Sequence, residues 1–277
     1  MEPELEGKVA IITGGSEGIG FGIASSLAER GALVYLTARR VKELNLAKSS
    51  IEGNNGKVEV READITDIER MTEIINEVYN TTGRLDFFIN NAGAWKPQTI
   101  STSAEELRKM RQLTRDAPIE ITEYLARKFK DLNKEIKILS VVSQAGIRYL
   151  NGNLGYGSGK KGLAVSLLEL EGELAHHKIG NVKLYALYPA TVATEKVLPA
   201  IRAGELQDAT TLESVVQTAI DLLLDKTPTR HAYVGFVPGQ GITRRYFDVK
   251  PSEFQMFPQT GEDEIVDSNF DPKSLLE

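Results

Sequence analysis

Three side chains in the middle of the chain have the types and spacing for proton transfer. Tyr156 and Lys160 stand in the run Tyr156-Gly157-Ser158-Gly159-Lys160, and a spacing of four puts both on one face of a helix. A phenol ionises near 10 and is a poor acid or base at neutral pH. A neighbouring ammonium stabilises phenolate and lowers that value; bringing it to about 7 takes about 4 kcal/mol. Ser143, thirteen residues upstream at the end of an apolar run, supplies a hydroxyl that can hydrogen-bond the oxygen of a substrate. Tyr149 lies nearer to Ser143 but has no lysine four residues on, so Tyr156 is the expected acid/base.

A second group has the chemistry of a phosphate cradle. Thr13-Gly14-Gly15-Ser16-Glu17-Gly18-Ile19-Gly20 joins the first apolar run, 8–13, to an amphipathic segment, 18–30. A turn between a first strand and a first helix lets the backbone approach a pyrophosphate, and the helix N-terminus adds N–H groups and a positive dipole end. Gly14, Gly18 and Gly20 suit this because a Cβ would hold the phosphate away; Ser16 and Ile19 stand among them. After the second apolar run comes Ala38-Arg39-Arg40. An acidic residue there accepts from a ribose 2′-hydroxyl, whereas arginine pairs with a 2′-phosphate. Ala38 stands where the acid would be, so Arg39 and Arg40 favour NADP(H), with NAD(H) as the other possibility. Glu17 pulls the other way unless Arg39 or Arg40 pairs with it.

The elements that must hold these groups are legible as an alternation. Short strands, most of them apolar runs, are expected at 8–13, 33–37, 57–62, 85–90, 136–142, 182–188 and 231–236, separated by helical segments at 18–30, 41–52, 67–81, 103–130, 154–178 and 211–225. Strands apolar on successive residues and separated by helices imply a parallel sheet covered on both faces. The expected architecture is α/β: a Rossmann-type, doubly wound, parallel seven-stranded sheet in one domain, residues 1–243. Residues 244–277 carry Pro, Asp, Glu and scattered aromatics with no sustained period. An irregular C-terminal extension is expected there, either a partly ordered tail or a segment packed over a subunit interface or the pocket. Tyr246, Phe247, Phe254 and Phe257 would otherwise be exposed.

Further motifs extend the pattern: Asp64-Ile65 after the third strand, Asn90-Asn91-Ala92-Gly93 after the fourth, Val142-Ser143-Gln144-Ala145-Gly146, and Pro189-Ala190-Thr191-Val192-Ala193-Thr194. With the glycine turn and the Tyr156/Lys160 pair, in this order over residues 8–240, the chain resembles the short-chain dehydrogenase/reductase family. The resemblance implies an NAD(P)-dependent oxidoreductase that moves hydride between nicotinamide and a small-molecule carbonyl/secondary alcohol pair. It implies that Asp64 and Ile65 flank the adenine, that Asn91, with Ala92 and Gly93, lies beside the cofactor ribose, and that Pro189, Val192 and Thr194 hold the carboxamide. Tyr156 is implied as acid/base, Lys160 as the group that binds the nicotinamide ribose and tunes Tyr156, and Ser143 as the group that orients the substrate. A homo-oligomer, dimer or tetramer, pairing the two long helices is implied as well.

The chain departs from the family pattern at Thr114, where an asparagine usually helps a water line reach the lysine. It also has Ala190 for a common glycine, Val142 for a common serine, and some 38 residues after Gly239. Thr114 and the extension are what a non-catalytic NADP(H)-binding sensor or scaffold would rest on. Ser143, Tyr156 and Lys160 together speak against that, since a sensor needs none of them. An isomerase or dehydratase on the same fold is a third option, because fold does not fix chemistry.

Composition narrows the remaining classes. A net charge of −6 over 277 residues disfavours nucleic acid, which needs a basic face, and an anionic membrane surface. With no cysteine there is neither a disulfide nor a thiolate metal site. His176-His177 ends a predicted helix, where a cation favours the dipole, and no metal site is expected. Met1–Gly7 lacks the pattern of a secretory signal, and no apolar run approaches the ~20 residues that span a bilayer; a cytoplasmic protein is expected. Trp95, Lys96, Tyr149 and residues 195–204 are candidate pocket walls, and the stretch 240–244 reads as a turn.

Overall fold

Burial on both faces explains why the first strand is apolar at every position instead of every second one: Val9–Thr13 (β1) is buried throughout. The computed structural model describes residues 4–203, 205–206, 209–237, 240–247 and 263–270. After β1 come Gly18–Glu29 (α1), Leu33–Ala38 (β2), Val41–Gly53 (α2), Lys57–Glu62 (β3), Ile68–Thr82 (α3) and Phe87–Asn90 (β4). Ala104–Arg111 (α4) continues through a π turn, Gln112–Asp116, into Ala117–Phe129 (α5). Ile136–Val141 (β5), a 3₁₀ turn at Gln144–Gly146, Leu154–His176 (α6) and Val182–Pro189 (β6) follow. Short pieces at Thr191–Val192 (β7), Leu198–Arg202 (α7) and Ala209–Thr210 (β8) precede Leu212–Leu223 (α8) and His231–Val237 (β9). Gly241–Phe247 (β10) and Asp263–Asp267 (β11) complete the order.

The main sheet has nine strands in the order β3-β2-β1-β4-β5-β6-β9-β10-β11. Its first seven are parallel, as expected, and the order reverses direction between β1 and β4. The ends of those two strands therefore form the crevice where open α/β sheets take ligands. Ile23 and Leu27 of α1, Leu44 of α2 and Val215 of α8 fill one face. Met71 and Ile74 of α3, Ile121 and Leu125 of α5 and Leu163 of α6 fill the other.

Two features differ from the expected architecture. The single long helix 103–130 is broken by the π turn just ahead of Pro118, whose ring and missing N–H do not fit a regular helix interior. The sheet also gains two antiparallel strands, β10 on β9 and β11 on β10, so a strand runs across the division expected at residue 243. Ile242, Thr243, Arg244 and Phe247 of β10 are buried. Phe247 packs on Tyr188 and His231 at ring separations of 5.2 and 5.7 Å, and Arg244 Nη1 lies 3.3 Å from Asp221 Oδ2 of α8. Of the stretch 240–244 expected to turn, Gln240 does so and Gly241 already begins a strand. Tyr246 is half-buried against the core, while Phe254 and Phe257 lie outside the described residues.

Candidate active site

The loops leaving β1 and β4 meet backbone to backbone. Gly14 has φ +65°, and a Cβ there would lie 2.8 Å from Ala92 Cα. Asn91 Nδ2 donates to the carbonyls of Thr13 and Gly14, both at 3.0 Å. Thr13 Oγ1 accepts from the N–H groups of Asn91 and Ala92, also at 3.0 Å. Gly20 faces this junction: its Cβ would overlap Asn91 Nδ2 and lie 2.5 Å from Gly14 O. Its contribution is close packing, and it does not line the cleft.

That cleft, of about 730 Å³, is lined by Gly14, Ser16, Gly18, Ile19, Arg39, Arg40, Asp64, Ile65, Asn91, Ala92, Gly93, Ser143, Tyr156, Lys160, Pro189, Val192 and Thr194. Every residue expected to act in catalysis or to hold the cofactor, except Gly20, is therefore brought to one place. No side chain caps α1, whose first turn carries no acid, so its leading N–H groups remain for an anion. The glycine turn and this helix start fit a dinucleotide pyrophosphate.

At the other end of the cleft, α6 presents the catalytic candidates. Asn153 precedes α6 but does not cap it; Gln98 Oε1 instead accepts the Tyr156 N–H at 3.1 Å. Two backbone bonds, Gln98 N–H to Gly152 O at 2.7 Å and Leu154 N–H to Gln98 O at 3.1 Å, hold that loop beside the helix. Lys160 is buried and donates from Nζ to Val141 O at 2.7 Å; burial brings its ammonium down to about 8. Burial pushes the Tyr156 phenol up, opposed by a hydrogen bond from Ser143. Ser143 Oγ also accepts the Ala145 N–H at 3.1 Å. Thr114 is buried, and its hydroxyl donates to Met110 O at 2.6 Å, within its own helix.

At the end of the cleft beside β2 and β3 the charges are paired. Glu17 Oε2 accepts from Arg40 at 2.8 Å, and Glu17 Oε1 bonds Lys196 from the segment after β7. Burial raises the Glu17 carboxyl, but those two bonds outweigh it and hold the group below its ordinary value. Arg39, 68% exposed, lies 3.6 Å from Asp64 Oδ2. The other oxygen of Asp64 accepts from Thr66 N–H and hydroxyl at 2.9 and 2.8 Å.

The pocket walls are partly those expected. Trp95, Glu195, Lys196 and Val197 line the cleft, together with Leu150, Asn153 and Leu206, which sequence reasoning missed. Lys96 turns instead to Glu106 at 2.6 Å, and Tyr149 is 81% exposed. Gln98 was also missed: a lone glutamine in a loop carries no signal until α6 is seen to start against it. Among the described residues no cluster of three or more metal-ligating side chains occurs, and no helix is long and apolar enough to cross a membrane.

Comparison with known proteins agrees with this geometry. A sequence profile described as short chain dehydrogenase matches residues 8–203. A cyclohexanol dehydrogenase of Rhodococcus sp. is 30% identical over 232 residues, covering 76% of this chain and 83% of that protein. A fatty acyl-CoA reductase of Acinetobacter baylyi is 39% identical over 89 residues, 32% of this chain. The matches span only 30% of that reductase and 32% of an uncharacterized oxidoreductase of Mycobacterium tuberculosis. Among solved structures, a 7 alpha-hydroxysteroid dehydrogenase complexed with NADH superposes with TM-score 0.72 at 22% identity, covering 80% of this chain and 89% of that one. An L-sorbose reductase from Gluconobacter frateurii complexed with NADPH gives 0.72 at 23% identity, with 80% and 92% covered. These two likenesses are of fold. The profile match over most of the chain, with the cleft at the β1/β4 switch point, makes this protein an enzyme of the short-chain dehydrogenase/reductase family.

Proposed function

We propose that this enzyme interconverts a small-molecule carbonyl compound and its secondary alcohol with NADP(H). The observation that carries the reading is the convergence of Ser143, Tyr156 and Lys160 at one end of a cleft whose other end is the glycine turn. Gly14, Ser16, Gly18 and Ile19, with the uncapped start of α1, would hold the pyrophosphate. Asp64 and Ile65 would flank the adenine, Asn91, Ala92 and Gly93 the ribose, and Pro189, Val192 and Thr194 the carboxamide. When bound, the nicotinamide supplies or accepts the hydride. In reduction Tyr156 gives its phenolic proton to the substrate oxygen, and in oxidation it removes that proton. Ser143 holds the same oxygen against the phenol. Lys160, buried beside them, contributes positive charge and binds the nicotinamide ribose.

Preference for NADP(H) is supported by Arg39, which is exposed in the cleft and held by Asp64 only at 3.6 Å, so it can turn to a 2′-phosphate. The carboxylate of Glu17 is countered by Arg40 and Lys196. NAD(H) is the weaker ligand in this reading, and a homo-oligomer built on α4, α5 and α6 accompanies it. Tyr156→Phe should leave NADPH affinity near wild type and reduce turnover by at least about a hundredfold. Unchanged turnover would overturn the assignment of Tyr156 as the acid/base. Fluorescence titration with NADPH and NADH should show tighter NADPH binding, reduced in Arg39→Ala; tighter NADH binding would overturn the preference.

A further inference from the structure

Trp95 is the one tryptophan in the chain, and it stands 58% exposed in the wall of the catalytic cleft. Exposure of so large an apolar surface is costly unless something covers it. The ring is nonetheless fixed: its Nε1–H donates to Asn153 Oδ1 at 2.6 Å, and Asn153 Nδ2 donates to Asn151 O at 2.8 Å. The polar edge of the indole and both arms of Asn153 are thereby used, and the indole faces are left for apolar contact.

Its neighbours in the wall have the same character. Leu150, Val197 and Leu206 line this end of the cleft, and Leu206 is itself exposed. The polar groups nearby are largely committed. Gln144 Oε1 accepts from Arg148, and Lys196 is bound to Glu17. Glu195 adds a carboxylate to the lining, which repels an anion. Among the described residues of this end, no cation stands uncommitted to receive a carboxylate or phosphate of the substrate.

We infer that Trp95 is a specificity-determining wall of a subsite for an uncharged, mainly apolar ring, so that the substrate class is a neutral cyclic or aryl ketone and its secondary alcohol. The inference rests on Tyr156 acting as the acid/base at that site. Its ring contact, however, is readable without turnover, because a lone tryptophan makes intrinsic fluorescence a report on this subsite alone.

The experiment compares cyclohexanone with 4-oxocyclohexanecarboxylate, the same ring carrying a charge, on the enzyme loaded with NADP⁺ for binding and NADPH for turnover. Cyclohexanone should change Trp95 fluorescence saturably, with the charged ring at least about tenfold weaker, since burying an unpaired carboxylate is unfavourable. Trp95→Ala should lower kcat/KM for cyclohexanone about tenfold, mostly through KM. NADPH affinity should stay at the wild-type value, and kcat/KM for acetone, which has no ring to stack, should fall much less than that for cyclohexanone. Trp95→Phe, which keeps an aromatic face, should recover most of the loss. Equal or better use of the charged ring, or an unchanged KM in Trp95→Ala, would overturn the subsite. A saturable Trp95 response without turnover of any ketone would support the ring subsite and count against the dehydrogenase reading, so the two failures are distinguishable.

Discussion

Tyr156 and Lys160 are both buried, and burial acts on them in opposite directions. The phenol is pushed up and stays protonated at neutral pH, while the ammonium comes down to about 8. In the proposed reaction a carbonyl substrate would therefore meet an acid already carrying its proton, whereas an alcohol would meet a group that must first lose one. The expected pH profiles follow: kcat/KM for alcohol oxidation rises with pH through neutrality, and kcat/KM for ketone reduction falls at alkaline pH. The same lysine gives a stability signature. Its folded value lies below the ordinary 10.5, so the native state loses the proton first and the unfolded chain binds more protons between the two values. Stability should then rise as pH increases from about 8 toward 10.5, and Lys160→Met should lack that rise in thermal melts of the cofactor-free protein. Ser143, Tyr156 and Lys160 were legible in the sequence because their chemistry lies in residue type and short spacing. The pairing of Glu17 with Lys196 was not, since the partners stand 179 positions apart and neither sign of charge names its counterpart.

Among the elements, the contact of α6 with the π turn sets the position of the helix that carries Tyr156 and Lys160. A Cβ on Gly159 would overlap Thr114 Oγ1 and lie 3.5 Å from Arg111 Cα. Gly159→Ala should destabilise by about 1–3 kcal/mol, the usual cost of overpacking, and part of the loss should return in the double variant with Thr114→Ala. Coupled denaturation midpoints across that double-mutant cycle check it. Gln98 acts on the same helix from the other side. Gln98→Met, which keeps the length but loses the acceptor of the Tyr156 N–H, should lower kcat with little change in NADPH affinity, and Gln98→Glu should restore it. The inner parallel strands were readable because double-sided burial makes them continuously apolar, and β3 at the margin by the alternation of its valines with charged residues. The π turn was not, because the apolar period of 103–130 passes through Gln112–Asp116 without interruption and only Pro118 hints at it.

For the whole molecule, Gly241–Phe247 and Asp263–Asp267 are part of the sheet and not an appendage to it. Phe247 is buried on Tyr188 and His231, so Phe247→Ala should cost about 3–5 kcal/mol of stability while leaving NADPH affinity of the folded protein unchanged. Chemical denaturation and cofactor titration separate the two effects. This region escaped the sequence reading because the buried positions of β10 include Thr243 and Arg244, so no apolar run marks it. Adding β10 and β11 also moves the margin of the sheet outward. Glu264 and Asp267 of β11 stand exposed at one margin, while β3 at the other has Lys57, Glu59, Arg61 and Glu62 in alternating sign. Unpaired N–H and C=O groups at a sheet margin invite a strand from another molecule. A second β11 laid in register on the first would bring Glu264 and Asp267 against their own kind, and charge on a margin strand opposes such pairing, so that flank resists templated growth into fibrils when the protein is concentrated.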